Sequence, residues 1–280
     1  MWFKSVLTVI TNTGQAEAAI NAASRMALGN EGHLNVLAVG IDRTQLGFSD
    51  MGAGSMLTQM SMEQADGDAK LASDAATAAL TEQDPALRWG LQTEVAQLGE
   101  LSVIVGTAAR YVDLVVQCLP YGTNRGFDAE AVVEAALFEG HAPVLIVPDG
   151  TDVTSLANPK RIIVAWDDSP EALNAAKRAL PLLRGADRVE VTVVDPASVG
   201  TEPGALLCQF LVRHGVKAEV TALPRNLPTV AEVLQQHALD QNADMLVMGA
   251  YGHSRLREAI FGGSTRSMLE HSKIPVFMSR

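Results

Sequence analysis

The chain has 280 residues, 48% apolar and 19% charged, which sets an expectation of two ordinary domains, each able to bury a core. Its formal charge of −11 argues against a general nucleic-acid binder and against a protein of anionic membrane surfaces, because both call for basic patches. The cysteines, Cys118 and Cys208, are far apart and lack metal-ligand spacing, so a disulfide framework is not expected and a reducing cytoplasm is.

The opening MWFKSVLTVITNTG has one lysine and a short apolar run without a cleavage site, so no secretory leader is expected. No apolar run reaches membrane-spanning length. Ser5 to Thr11 is a β-branched strand, closed by the turn Asn12-Thr13-Gly14. Gln15 to Leu28 is alanine-rich and helical, and His33 to Val39 is the next strand. Gly40 to Ala79 opens as a small-residue loop with Gly52 and Gly54. It continues as a long Ala/Gln/Glu/Asp helix from Thr58 to Leu80. Met51, Met56, Met60 and Met62 are expected to pack this helix on its sheet rather than form an adaptable contact surface. Leu87 to Val95 alternates as a strand. Leu98 to Ala109 is helical, Val112 to Leu119 a strand, Ala129 to Glu139 a helix and Pro143 to Val147 a strand. The stretch PDGTDVTSLANP, 148–159, reads as the linker between domains 1–148 and 160–280.

The second half repeats the order. Arg161 to Trp166 is a strand that meets the turn Asp167-Asp168-Ser169-Pro170, with Ser169 as N-cap and Pro170 opening a helix from Glu171 to Leu183. Strands follow at Arg188 to Val194 and Ala218 to Ala222, and helices at Ala205 to Arg213 and Val230 to Leu239. Met245-Leu246-Val247-Met248, fronted by Asp244, suits a strand buried on both faces of a parallel sheet. Arg266 to His271 is helical and Pro275 to Met278 is the last strand.

The chain is therefore an internal duplication. Residues 5–10 match 161–166, Asp113 matches Asp244, and Ala142-Pro143-Val144 matches Ile274-Pro275-Val276. Strands alternating with helices in each copy imply a parallel, doubly wound sheet that holds ligands beyond the carboxyl ends of its strands, where strand order reverses. In the second copy that crevice would be flanked by Asp167-Asp168-Ser169 and by the segment Gly249 to Ser264. This segment carries Tyr251-Gly252, Arg255, Arg257 and Gly262-Gly263, with Ser264-Thr265 opening the next helix. Such a loop lets backbone N–H groups approach an anion closely, and the helix end adds partial positive charge, so it reads as a phosphate cradle. The plainer alternative is a βα connection whose glycines only permit the turn.

Gly249-Ala250-Tyr251-Gly252, then His253 to Phe261, then Gly262 fit the G-x-x-G-x9-G spacing, and GHSRLREAIFGGSTR as a whole resembles the universal stress protein family. The resemblance is specific in the second copy and mainly architectural in the first. It implies two tandem flavodoxin-like (adenine nucleotide alpha hydrolase-like) domains, each a five-stranded parallel sheet of order 3-2-1-4-5. It also implies a cytoplasmic regulator of stress survival that binds ATP or a related adenine nucleotide, with or without Mg²⁺. The implied site consists of Ala165, Asp167, Ser169, Val194, Gly249, Gly252, His253, Arg255, Gly262, Gly263, Ser264 and Thr265. Last-strand pairing in this family leads us to expect residues 143–147 and 275–278 to pair antiparallel as an intramolecular pseudo-dimer, which removes two exposed edges and leaves a homodimer open.

Departures from the family pattern count against a ligand. Gly263 stands where nucleotide binders carry Ser or Thr, and Asp168 replaces a glycine, adding a carboxylate that repels polyphosphate unless it faces solvent or holds Mg²⁺. The first copy has Thr11, Cys118, Tyr121 and Glu130-Ala131 at the matching positions, so no nucleotide is expected there. Each candidate also has a plain role: Asp167 as a turn residue, Val194 and Asp195 as a strand end, Ser264 as a cap, Arg255, Arg257 and Arg266 as a solvated face, His253 as surface. Two alternatives stay open beside the nucleotide-binding regulator. One is a nucleotide-free scaffold. The other is a nucleotide-cleaving enzyme, for which only Asp167 and Asp168 offer carboxylates; no nucleophile elbow or paired base supports it.

Overall fold

The computed structural model describes residues 3–43, 54–97, 99–122, 125, 127–196, 202–251 and 263–280, the side chains of 54–58 and 127 aside. They fall into two compact units, Phe3–Ala142 and Pro143–Arg280.

The first unit carries β1 (Ser5–Ile10), α1 (Thr13–Gly29), β2 (His33–Asp42), α2 (Gly54–Thr81), β3 (Arg88–Gln97), α3 (Leu101–Ala109), β4 (Leu114–Cys118) and α4 (Phe127–Phe138). Its strands lie in the order β3-β2-β1-β4, all parallel. Val6, Leu7, Val9 and Ile10 are all buried, as a parallel sheet covered on both faces requires. β2 runs through Gly40 to Asp42, beyond the Val39 end that the sequence suggests. A Cβ at Gly40 would fall 1.9 Å from the Ala65 carbonyl oxygen, so this glycine seats α2 on the strand and does not end it. Ala65, Ala69, Ala72 and Ala76 form the buried stripe of α2. Met60 and Met62 are 58% and 51% exposed, which corrects the expectation that they pack the helix on its sheet; alanines pack it, at a distance too short for methionine. Met51 and the side chain of Met56 lie outside the described residues.

The second unit carries β5 (Val144–Val147), β6 (Arg161–Ala165), α5 (Pro170–Arg178), α6 (Leu180–Gly185), β7 (Arg188–Val194), α7 (Ala205–Arg213), β8 (Ala218–Leu223), α8 (Val230–Asp240), β9 (Met245–Gly249), α9 (Ser264–His271) and β10 (Val276–Ser279). Strand order is β5-β10-β9-β6-β7-β8, so the five strands of the second copy adopt the 3-2-1-4-5 order. The single helix expected over 171–183 is two helices, parted at Ala179, because Pro181 in the first turn of α6 has no N–H to continue the α5 ladder. β5 and β10 pair antiparallel with Val276 opposite Ile146, Phe277 opposite Leu145 and Met278 opposite Val144, as expected for the closing strands of the two copies. Phe277, fully buried, fills this seam.

One device recurs at the same place in both units. Asp113 Oδ2 accepts from the N–H groups of Lys4 (2.8 Å) and Ser5 (3.0 Å), and Asp244 Oδ2 from those of Lys160 (2.7 Å) and Arg161 (2.9 Å). Each carboxylate ties the start of the fourth strand of its copy to the start of the first.

Candidate functional site

In the second unit the chain leaves β6 for β7 and β8, then returns to lay β9 on the other side of β6. Beyond the carboxyl ends of these strands lies a cleft of about 620 Å³. Three βα turns frame it, and each contains a non-glycine residue in the left-handed region: Asp168 (φ 64°), Asp195 (φ 54°) and Tyr251 (φ 55°).

The β6–α5 turn is held locally. Asp167 Oδ1 accepts from the Ser169 backbone N–H (3.1 Å) and hydroxyl (2.6 Å), and Ser169 Oγ accepts from Ala172 N–H (3.1 Å) to cap α5. The Ser169 hydroxyl thus gives its proton to Asp167 and its lone pair to the helix. At the end of β9, Tyr251 N–H donates to Thr265 Oγ1 (3.1 Å), which pins this turn to the first turn of α9. A Cβ at Gly249 would meet Ala172 N at 2.6 Å and the Glu171 carbonyl carbon at 2.8 Å, so Gly249 is what lets the start of α5 close over β9. Gly204 (φ 80°) enters α7 in the left-handed region, with Val191 Cγ1 3.0 Å and Trp166 Cδ1 3.5 Å from where its Cβ would lie.

Of the expected site residues, Ala165, Asp167, Val194, Gly249 and Ser264 line the cleft together. Ser169 and the buried Thr265 hold its turns without lining it. Gly263 is the N-cap of α9 and provides no side-chain cap. Gly252, His253, Arg255 and Gly262, with Arg257, lie outside the described residues. Arg266 pairs with Glu270 one turn on (2.8 Å) along the exposed side of α9.

The sequence reading missed the apolar wall made by Trp166, Leu206, Val230 and Leu234. Leu206 is 79% exposed, an apolar side chain left in the open at the mouth. The missed signal was positional: Trp166 ends a strand at the crevice, and Val230 and Leu234 are one turn apart on one face of α8. The rim also carries the carboxylates of Asp167, Asp168, Asp195 and Glu202, and among the described lining residues there is no lysine or arginine. Among the described residues, no cluster of His, Cys, Asp and Glu has the arrangement to hold a metal ion.

The matching place in the first unit differs in size. Ile10, Thr11, Asn12, Gln15, Gln117 and Cys118 line a space of only about 20 Å³ there. Nearby, Arg43 at the end of β2 pairs with Asp128, which is 4% exposed in the first turn of α4.

Residues 226–280 match the sequence model of the universal stress protein family. A universal stress protein of Synechocystis sp. is 36% identical over 128 residues, which is 43% of this chain and 42% of that protein, so the alignment spans less than half of either. A universal stress protein from Archaeoglobus fulgidus has the same fold over 99% of this chain and 96% of its own, with a TM-score of 0.66 and 17% identity. The cytoplasmic domain of a prokaryotic cation chloride cotransporter matches over 99% of this chain and 95% of its own, with a TM-score of 0.50 and 12% identity. The stretch that matches the universal stress protein model, residues 226–280, holds β9 and α9, the strand and helix that border the cleft.

Proposed function

We propose that the cleft of the second unit binds an adenine nucleotide, and that the protein is a cytoplasmic stress-response regulator and not an enzyme. The observation that carries this is the cleft of about 620 Å³ at the switch point between β6 and β9, a size within the range of small-molecule sites. Trp166, Val194 and Leu206 offer the apolar side for the base. Gly263 supplies no side-chain acceptor to the first turn of α9, and a phosphate oxygen completes such a turn. ATP is the expected ligand, and Mg²⁺ arriving with it offsets the carboxylates of the rim.

Isothermal titration of the full chain with ATP and AMP tests this. Binding is expected, and the pair Val194→Trp and Leu206→Trp, which fills the apolar side, should weaken it at least about tenfold. ATP turnover is expected to stay at background. A chain that binds no adenine nucleotide, or binds it equally well with the cleft filled, overturns the proposal. A nucleotide-free scaffold is the second reading. It is favoured by the four rim carboxylates, which repel phosphate. Protein purified without bound nucleotide that also fails to take up added ATP would favour it.

A further inference from the structure

We propose that β3 is a homotypic docking edge, pairing antiparallel with β3 of a second copy of this chain about a two-fold axis at Leu91. Among the described residues, β3 ends the strand order of the first unit and pairs with β2 alone. It is ten residues long, contains no proline or lysine, and is buried only at Ala96. Such an edge presents unpaired N–H and C=O groups, and proteins ordinarily blunt it by shortness, proline or inward charge. The third strand of the second copy, β8, is shorter, at six residues, and is followed directly by Pro224.

The sequence of β3, RWGLQTEVAQ, is complementary to itself. With Leu91 on the axis, Arg88 of one copy stands opposite Glu94 of the other, twice over by symmetry, and Trp89 stands opposite Thr93. Directly opposed charges of opposite sign favour a register, and like charges oppose it. The faces agree with this choice. Thr93 Oγ1 donates to Ser73 Oγ of α2 (3.1 Å), so the odd-numbered side chains share the α2 side of the sheet. On that side Trp89 is 42% exposed, and Met62, on the same helical stripe as Ser73, is 51% exposed. A second copy would give both apolar side chains a partner. Arg88 Nη2 donates at present to the Glu31 carbonyl oxygen (2.5 Å), an exposed bond that leaves the guanidinium four further N–H donors.

Sedimentation equilibrium of the full chain across a hundredfold concentration range tests the proposal. A monomer–dimer equilibrium is expected. Arg88→Glu and Glu94→Arg should each raise the dimer dissociation constant about tenfold, since each turns two attractive pairs into repulsive ones. The double variant should restore the dimer. Arg88→Glu also loses the Glu31 bond, but so does the double variant, so recovery isolates the cross-strand pairs. Amides of Trp89 to Val95 should exchange more slowly at high concentration. A chain that stays monomeric, a dimer indifferent to both single changes, or a double variant that does not recover overturns the proposal.

Discussion

At the scale of single residues, backbone geometry explains a substitution that chemistry alone makes puzzling. Asp168 stands where the family pattern has glycine, and its φ of 64° shows why glycine suits the position. Aspartate tolerates this region better than most residues, so the turn survives the exchange with a carboxylate added. Asp168→Gly should therefore leave stability unchanged or raise it by up to about 1 kcal/mol, whereas Asp168→Val should lower it by about 1–2 kcal/mol. Urea midpoints of the two variants check this, and a glycine variant less stable than the parent would refute it. Cys208 supplies a residue-scale expectation in pH. Burial pushes its thiol above the ordinary cysteine value, and the charges of Glu202 and Glu219 add to the rise. The folded chain thus keeps the neutral thiol at a pH where the unfolded chain has begun to ionise. Stability from this group is complete below the unfolded value and is lost as pH rises from there through the raised folded value. Iodoacetamide should label Cys208 more slowly in the folded protein at mildly alkaline pH than in urea, and equal rates would contradict the shift.

At the scale of elements, α8 joins fold to cleft. Thr229 Oγ1 accepts from Glu232 N–H (3.1 Å) and Glu232 Oε2 accepts from Thr229 N–H (2.9 Å), a reciprocal cap that fixes where the helix starts. The next residue, Val230, and Leu234 one turn on both line the cleft. Thr229→Ala should cost about 1 kcal/mol, and Glu232→Gln, which keeps an acceptor, less than about 0.5 kcal/mol. Thermal melts should rank them in that order, and the reverse order would mean the cap is not what holds the helix. The cap was present in the sequence as T-V-A-E, and so was nearly every element, because the central strands are apolar runs, the edge strands alternate, and the helices carry an apolar or alanine period. Three elements were harder to read for physical reasons. Gly40 looked like a strand end, yet it is the bare spot on which Ala65 and Ala69 rest. Met60 and Met62 looked like core, but the core of α2 was already complete in alanine. Leu180 looked continuous with α5 until Pro181 removed a donor. In the first two cases the outcome depended on how closely two elements approach, which a one-dimensional pattern does not carry; the break at Ala179 is local and follows from Pro181 itself. The candidate site was legible to the same extent. Strand-end positions such as Asp167, Val194 and Gly249 could be placed from the topology. The α7 and α8 side of the cleft depended on packing.

At the scale of the whole chain, fold and function separate. A cotransporter domain shares this architecture at 12% identity, so the doubly wound sheet by itself assigns nothing, and function has to be argued from the space at its switch points. The two copies answer differently there, with about 620 Å³ in one and about 20 Å³ in the other. The smaller value is near the room needed by one water. The first copy closes with its own groups. Cys118 brings a side chain where the second copy has Gly249, and Asp128 places a carboxylate in the first turn of α4, where it takes Arg43 as its partner. An anion belonging to the chain thus stands at the helix end where a ligand phosphate would otherwise be sought, and the pair disfavours a competing phosphate. Titration of the full chain with ATP should accordingly give one nucleotide per chain. Arg43→Ala leaves Asp128 without its cation but adds no volume near Thr11 and Cys118, so it should leave the stoichiometry at one. A measured stoichiometry of two in the parent chain would mean that the first copy opens on binding, and that its small cavity describes only the empty state.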